Sequence, residues 1–349
     1  MESPDERASA VAPPPAATPE EGPGGSRQAA SAAPGPFEHL GRRLLVPALL
    51  ALLVLAGLAL FADARQLADH LAAFPLALLV PVLGLSLVNY ALRLVRWELY
   101  LRALGARLPL VWSAAVLLVG FVLSVTPGKA GELGKAWLVR ELGGGPALRV
   151  VPAVLAERIT DLLGVVLLIG FGALALPGGA WIAAATAVLA ATVVALLSWR
   201  RASHALLGLA ARVPRLAARV HHLEEMLERL RALLSPRLLF AALALSIVAW
   251  GAEGVGFFLV VRGYAPEVGP LLAVFDYSAS TLAGALSMLP AGLVASEGSL
   301  AALLGAQGLG AASAASATRS SRAATLRFAV ALGLAALPAV WRRIGRASR

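Results

Sequence analysis

The chain has 349 residues, 59% of them hydrophobic and 14% charged, with a mean hydropathy of +0.78. That is too little polar surface for a soluble domain of this length. It has no cysteine, which excludes disulfides, thiolate catalysis and cysteine zinc sites, and its net charge of +10 sits on cations that flank apolar blocks, the pattern of a membrane protein and not of a nucleic-acid binder.

Residues 1–36 are rich in Ala, Pro, Gly and Ser, cannot bury a core, and read as a disordered cytoplasmic tail. Apolar blocks then fall at 44–62, 74–92, 108–126, 150–176, 181–197, 238–261, 271–289 and 323–340. The first starts too late and runs too long for a signal peptide. Most have the length at which a helix crosses a hydrocarbon layer of ~30 Å. They are continuous rather than alternating, so the expected fold class is all-α, a polytopic membrane helical bundle, and not a β-barrel. Two shorter apolar pieces, 128–142 and 291–306, each follow a proline.

The stretch 199–237 differs from the rest. Its arginines include Arg200, Arg201, Arg212, Arg215 and Arg219, while Leu223, Leu227, Leu230 and Leu234 recur at helical spacing. Two readings stand: an amphipathic helix on the cytoplasmic membrane face, or a solvated connector.

The bias of Lys and Arg toward cytoplasmic loops orients the chain. Arg42 and Arg43 place the N-terminus in the cytoplasm, and Arg93, Arg96, Arg102 and Arg107 mark the next cytoplasmic loop. Arg342, Arg343, Arg346 and Arg349 place the C-terminus there too. Parity is met by about six full spans plus two re-entrant broken hairpins, 108–142 and 271–306, of opposite orientation. This is an inverted-repeat-like plan. If both first arms cross fully the count is eight, and 108–126 is long enough to do so. The expected domain is 37–342, followed by a basic tail at 343–349, in a multi-pass protein of the plasma (inner) membrane.

The two hairpins share a pattern. Ser124-Val-Thr-Pro127-Gly128-Lys129-Ala-Gly131-Glu132-Leu-Gly-Lys135 and Ser287-Met-Leu-Pro290-Ala-Gly292-Leu-Val-Ala-Ser-Glu297-Gly298 each run from an apolar helix through a proline to small residues and a glutamate. Proline removes a backbone donor and breaks the helix. Backbone groups freed at membrane depth are tolerated where they are buried in protein or line a polar cavity, and paired breaks in two halves point to a transport site. Among 30 cations the chain has two lysines, Lys129 and Lys135, both in the first hairpin. Lysine is a compact charge suited to phosphate.

Further on, Glu157-Arg158-Ile-Thr-Asp161 puts two acids four apart on one helix face. They either face the bundle interior and pair with the hairpin lysines, or form a salt bridge at a helix end. Glu253 is central in 238–261, with Gly251, Gly254 and Gly256 allowing a close helix approach. A buried ionisable group costs on the order of ~2.5–3.5 kcal/mol on insertion scales, so Glu253 and Asp276 are functional candidates. Arg319, Arg322 and Arg327 either line an outward-facing cavity or reach to headgroups. The five histidines show no ligand spacing, and no P-loop, dinucleotide fingerprint or zinc-protease motif occurs. The chain is therefore expected to be no enzyme, with no metal and no cofactor.

The three segments Thr126–Lys135, Glu157–Asp161 and Leu289–Gly298 resemble the signatures of the lysylphosphatidylglycerol synthase transmembrane-region family, a flippase-like family, and the likeness runs over roughly residues 40–342. Pro127, Gly128, Lys129, Gly131, Glu132 and Lys135 match its first motif, and Glu157, Arg158 and Asp161 its second. In the third only Pro290, Gly292, Glu297 and Gly298 match. Ala291, Ala295 and Ser296 stand where that pattern has two glycines and an arginine, and Arg322 falls at a later Tyr-Arg pair. The resemblance implies lipid translocation without a soluble aminoacyltransferase domain. On that reading Lys129, Lys135, Arg158 and Arg322 bind lipid phosphate, and Glu132, Glu157, Asp161, Glu253 and Glu297 pair charge or relay protons. The alternative is a membrane subunit that presents lipid to a partner lipid- or glycan-modifying enzyme. Either way the expected partner is an anionic or polyprenyl-phosphate-type lipid.

Overall fold

The computed structural model describes residues 76–198, 220–292 and 294–347. The expected tail 1–36, the first apolar block 44–62 and the linker stretch 199–219 lie outside the described residues. The described chain is helical throughout, without strands. Its helices are α1 (Leu76–Ala103), α2 (Leu110–Leu123), α3 (Gly134–Glu141), α4 (Ala147–Ala173), α5 (Ala180–Ser198), α6 (Val220–Leu233), α7 (Pro236–Arg262), α8 (Pro270–Leu286), α9 (Ala295–Ala306), α10 (Ala311–Arg322) and α11 (Phe328–Ala347).

Among the described residues, four helical stretches are long and apolar enough to cross a membrane: Ala77–Ala103, Ala180–Leu197, Pro236–Arg262 and Ala311–Arg346. α4 has 27 residues, about 40 Å at 1.5 Å per residue, but carries three charges in its interior. Large apolar side chains face outward, among them Phe240 at 76% exposure and Val111 at 75%. A surface of that kind is stable against hydrocarbon and not against water. This is a polytopic helical membrane protein.

The structure bears on three expectations. The first arm of the first hairpin starts at Leu110, after Pro109, and stops at Leu123. Fourteen residues reach about 21 Å, short of the ~30 Å hydrocarbon core, which agrees with the re-entrant arm and not with the eight-span alternative. The last apolar block is expected to begin at 323, but its helix begins at Ala311 and runs through a π-turn at Ala323–Arg327. It continues to Ala347, so Arg343 and Arg346 belong to a helix and not to a separate tail. Finally, α6 packs on the bundle. Leu230, Leu233 and Leu234 join the core beside α4, because the apolar stripe of the linker covers protein. This holds for Val220–Leu233, the described part of that stretch.

The core has two apolar clusters with a polar layer between them. One gathers Trp97, Tyr100, Val116, Val139, Val154 and Leu233. The other gathers Val82, Val165, Phe257, Val274, Leu304 and Ala317. Along α1 and α4 the residues between these clusters are Ser86, Asn89, Arg93, Arg96, Glu157 and Asp161. Small residues set how closely the helices cross. A Cβ on Gly172 of α4 would lie 2.7 Å from the backbone nitrogen of Phe275 on α8. A Cβ on Gly254 would lie 3.0 Å from Val274, so of the three glycines in α7 this one admits α8.

Both hairpins break as their prolines require. After α2, Ser124 and Thr126 donate their hydroxyls to the carbonyls of Phe121 (2.7 Å) and Leu123 (2.8 Å), and the Thr126 oxygen accepts the Gly131 N–H at 2.7 Å. After α8, Ser287 donates to the Gly284 carbonyl at 2.8 Å. The two breaks meet: the Gly128 N–H donates to the Met288 carbonyl at 3.2 Å. Lys129, Met288, Ala291 and Val294 hold positive φ between 54° and 68°. For residues with a Cβ this conformation is strained, and such strain concentrates where function needs a fixed geometry.

The substitution Gly172→Ala should force α4 and α8 apart and cost about 1–3 kcal/mol, the range for overpacking. The check is an earlier thermal transition of the detergent-solubilised protein. Gly298→Ala, at an exposed helical position with no atom within 4 Å of the added carbon, should leave the transition unchanged.

Candidate functional site: a charged cavity behind the hairpin tips

The conserved geometry of a helix places Arg93 and Arg96 of α1 one turn apart, and Glu157, Arg158 and Asp161 on adjoining faces of α4. Where α1, α4 and α7 pack together these side chains converge. Asp161 is the hub. Its Oδ1 lies 2.7 Å from Arg96 and accepts the Trp250 indole N–H at 3.0 Å and the Ser246 hydroxyl at 3.2 Å. Its Oδ2 lies 3.2 Å from Arg93 and 3.4 Å from Arg158. Arg158 reaches back to Glu132 at 2.8 Å, which ties the first hairpin to α4.

Beside the hub lies a cavity of about 370 Å³, within the size range of small-ligand sites. Its polar wall carries the cations Arg93, Lys129, Arg158 and Arg322 and the acids Glu132, Asp161 and Glu253. Its apolar rim includes Leu162, Leu286, Met288 and Leu289, all of them exposed. The floor is formed by the two breaks through Gly128, Ala291 and Gly292. The Arg93 guanidinium sits 5.1 Å from the Phe121 ring and 5.7 Å from the Trp250 ring, a cation held by aromatic faces as well as by Asp161. Glu253 accepts the hydroxyl of Tyr277. Arg322 lies at the end of α10 where the π-turn begins, and its nearest acid is Glu297 at 3.9 Å. Ser86 and Tyr90, one turn apart on α1, donate to the Ala324 and Thr325 carbonyls within that turn, each at 2.9 Å. They fix the widened helix against α1.

The structure divides the expected site residues. Lys129, Glu132, Arg158, Asp161, Glu253 and Arg322 line one cavity. Lys135 does not. It is 2% exposed, pairs with Glu157 and with Glu132 at 3.8 Å, and lies 4.7 Å from the Trp97 ring. A cation shared between two buried carboxylates is not offered to a phosphate, so the two lysines have different tasks. Glu157 is fully buried behind the cavity wall, and Glu297 stands in the first turn of α9. Pro127, Gly128, Gly131, Pro290 and Gly292 form the breaks, whereas Gly298 sits inside α9 and breaks nothing, because the left-handed residues end at Val294. Asp276 lies apart from the cavity, with the Gln307 amide donating to it at 2.7 Å. Arg319 and Arg327 also lie outside the lining. Among the described residues no three His, Asp or Glu side chains are placed to hold a metal.

Sequence reading missed Arg93 and Arg96. It placed them in a cytoplasmic loop because the apolar block ends at 92, but α1 runs on to Ala103. The available signal was the spacing of Tyr90, Arg93, Trp97 and Tyr100, which puts aromatic and basic residues on one helical face.

Residues 48–333 match the model of the lysylphosphatidylglycerol synthase transmembrane region. The chain belongs to that family, a family of lipid-related membrane proteins. No curated protein matches it.

The lysines separate by experiment. Lys135→Ala leaves the buried Glu157 with only Arg96, at 3.9 Å, and should destabilise the protein by about 3 kcal/mol, the low end for a broken buried pair. Lys129→Ala should stay within about 0.5 kcal/mol of the parent. Thermal unfolding of the two purified variants reads the difference.

Proposed function

We propose that the protein is a lipid translocase of the plasma (inner) membrane, moving a phosphate-bearing lipid between leaflets, with both termini cytoplasmic. One observation carries this reading: a cavity with four cations on its wall and exposed leucines and a methionine on its rim, sited where two broken helices meet tip to tip. The cations suit a phosphate and the rim suits acyl or prenyl chains. Broken-helix tips at a shared site are a recurring element of alternating-access transporters. In this reading the phosphate binds Lys129, Arg93 and Arg322, with Arg158 held by Glu132 and Asp161 as the supporting wall. The two hairpins rock about the Gly128–Met288 contact. The chain carries out no bond chemistry.

The second reading is a membrane subunit that presents lipid to a partner enzyme. Docking of α6 onto the bundle through Leu230 and Leu233 leaves less of that helix free to act as a partner surface.

The test is leaflet exchange of fluorescent anionic lipids in reconstituted vesicles. Exchange should exceed that of protein-free vesicles. Lys129→Ala should lower it at least about tenfold, the effect of losing one charge-assisted contact. Exchange equal to empty vesicles for every anionic lipid tried would rule out translocation. Undiminished exchange in Lys129→Ala would remove the lysine from the site.

A further inference from the structure

We infer that the cavity selects a lipid head with a single negative charge and several hydroxyl donors, a phosphodiester bearing a sugar or polyol. A diphosphate or an aminoacylated head would fit it less well. This deepens the translocase reading and rests on it.

The charge count comes first. Of the cations on the wall, Arg93 and Arg158 are held by Asp161 and Glu132. Arg322 has Glu297 at 3.9 Å. Lys129 makes no ion pair within the described residues. The wall therefore has four cations facing three carboxylates. Counting the groups behind it adds Arg96 and Lys135 against Glu157 and Glu297, and the surplus stays at one positive charge. Charge buried in a low-dielectric site is costly unless it is balanced. A monoanionic phosphodiester balances the surplus of Lys129. A diphosphate overshoots it by at least one negative charge. A head carrying both a phosphate and an ammonium restores no balance at all.

The hydrogen-bond chemistry of the uncharged wall gives the second half. Of the hydroxyls among its lining residues, all but that of Thr281 already have acceptors for their protons. Tyr90 donates to the Thr325 carbonyl at 2.9 Å, Ser124 to Phe121 at 2.7 Å, Ser296 to Ser280 at 3.0 Å, and Thr325 to Ser321 at 2.9 Å. Tyr277 donates to Glu253. A hydroxyl has one proton and two lone pairs. With the proton committed, what these groups can offer a ligand is acceptor capacity, and Glu253 adds a carboxylate. Beside the unpartnered Arg158 and Arg322 nitrogens, which suit the phosphate, these hydroxyls and Glu253 offer acceptors, and a bare phosphate supplies no donors to them. Sugar and polyol hydroxyls do. A buried acceptor left unpaired discriminates strongly against a ligand that lacks the donor.

The experiment compares leaflet exchange of fluorescent phosphatidylinositol, phosphatidic acid and lysylphosphatidylglycerol in vesicles containing the full chain. The parent protein should move phosphatidylinositol about tenfold faster than either of the others. Glu253→Gln and Tyr277→Phe should each lower the ratio of the phosphatidylinositol rate to the phosphatidic acid rate from about ten toward one. The second variant retains the ring and serves if the first does not fold. Equal rates for phosphatidylinositol and phosphatidic acid, or a faster lysyl lipid, would overturn this inference and leave translocation standing. No exchange of any of the three, with a correctly folded protein by its thermal transition, would overturn both.

Discussion

Asp161 is the constraint on which the arrangement depends. A carboxylate 5% exposed inside an apolar bundle is costly unless it is compensated on every side. Here it is met by Arg93 and Arg96 from α1, Arg158 from its own helix, and Ser246 and Trp250 from α7. Five donors from three helices fix the mutual rotation of α1, α4 and α7. Because helices in lipid gain little from apolar packing alone, such a polar junction specifies register where the hydrophobic effect does not. Once Arg158 is fixed, Glu132 follows, and with it the tip of the first hairpin.

The same network explains why the polar layer is not a liability. Glu132, Glu157 and Asp161 each have a cation within ion-pair distance, Glu253 has the Tyr277 hydroxyl, and each cation but one is answered. Lys129 is the exception, and it is the residue just after the first break, with a left-handed backbone. Strain in the chain and unbalanced charge thus coincide at one position. A fold that was only structural would have little reason to keep either. At the other tip the strain is greater, with Met288, Ala291 and Val294 all left-handed, but the charge is absent. Arg322 is supplied instead from the junction of α10 and the π-turn, an interruption of a kind that recurs at functional sites. The second half of the cavity therefore takes its cation from a neighbouring helix and not from its own hairpin.

Much of the plan was legible. Pro127 and Pro290 announce the breaks because a missing N–H and a fixed φ leave the chain no alternative. Apolar length gives the helical membrane class by itself. The acids Glu157 and Asp161 declare a shared face through their spacing of four. What was not legible is which cation meets which acid. Lys129 and Lys135 are six residues apart and of one chemical type, yet one lines the cavity and the other is locked between Glu132 and Glu157 under Trp97. Arg93 and Arg96 were read as loop cations because the apolar run ends before them. Burial among α4 and α7 makes them interior, and that burial depends on contacts 64 to 68 residues away in the chain.

The sequence by itself determined the membrane class, the helical architecture, the positions of the breaks and the family. These follow from composition, local periodicity and the covalent chemistry of proline, all of which act within a few residues. The tertiary structure alone decided that the hairpin tips touch through Gly128 and Met288, that α2 stops short of spanning, and that Lys129 stays uncompensated while Lys135 does not. Those outcomes depend on which helices cross, and a crossing is set by pairs of side chains that only folding brings together.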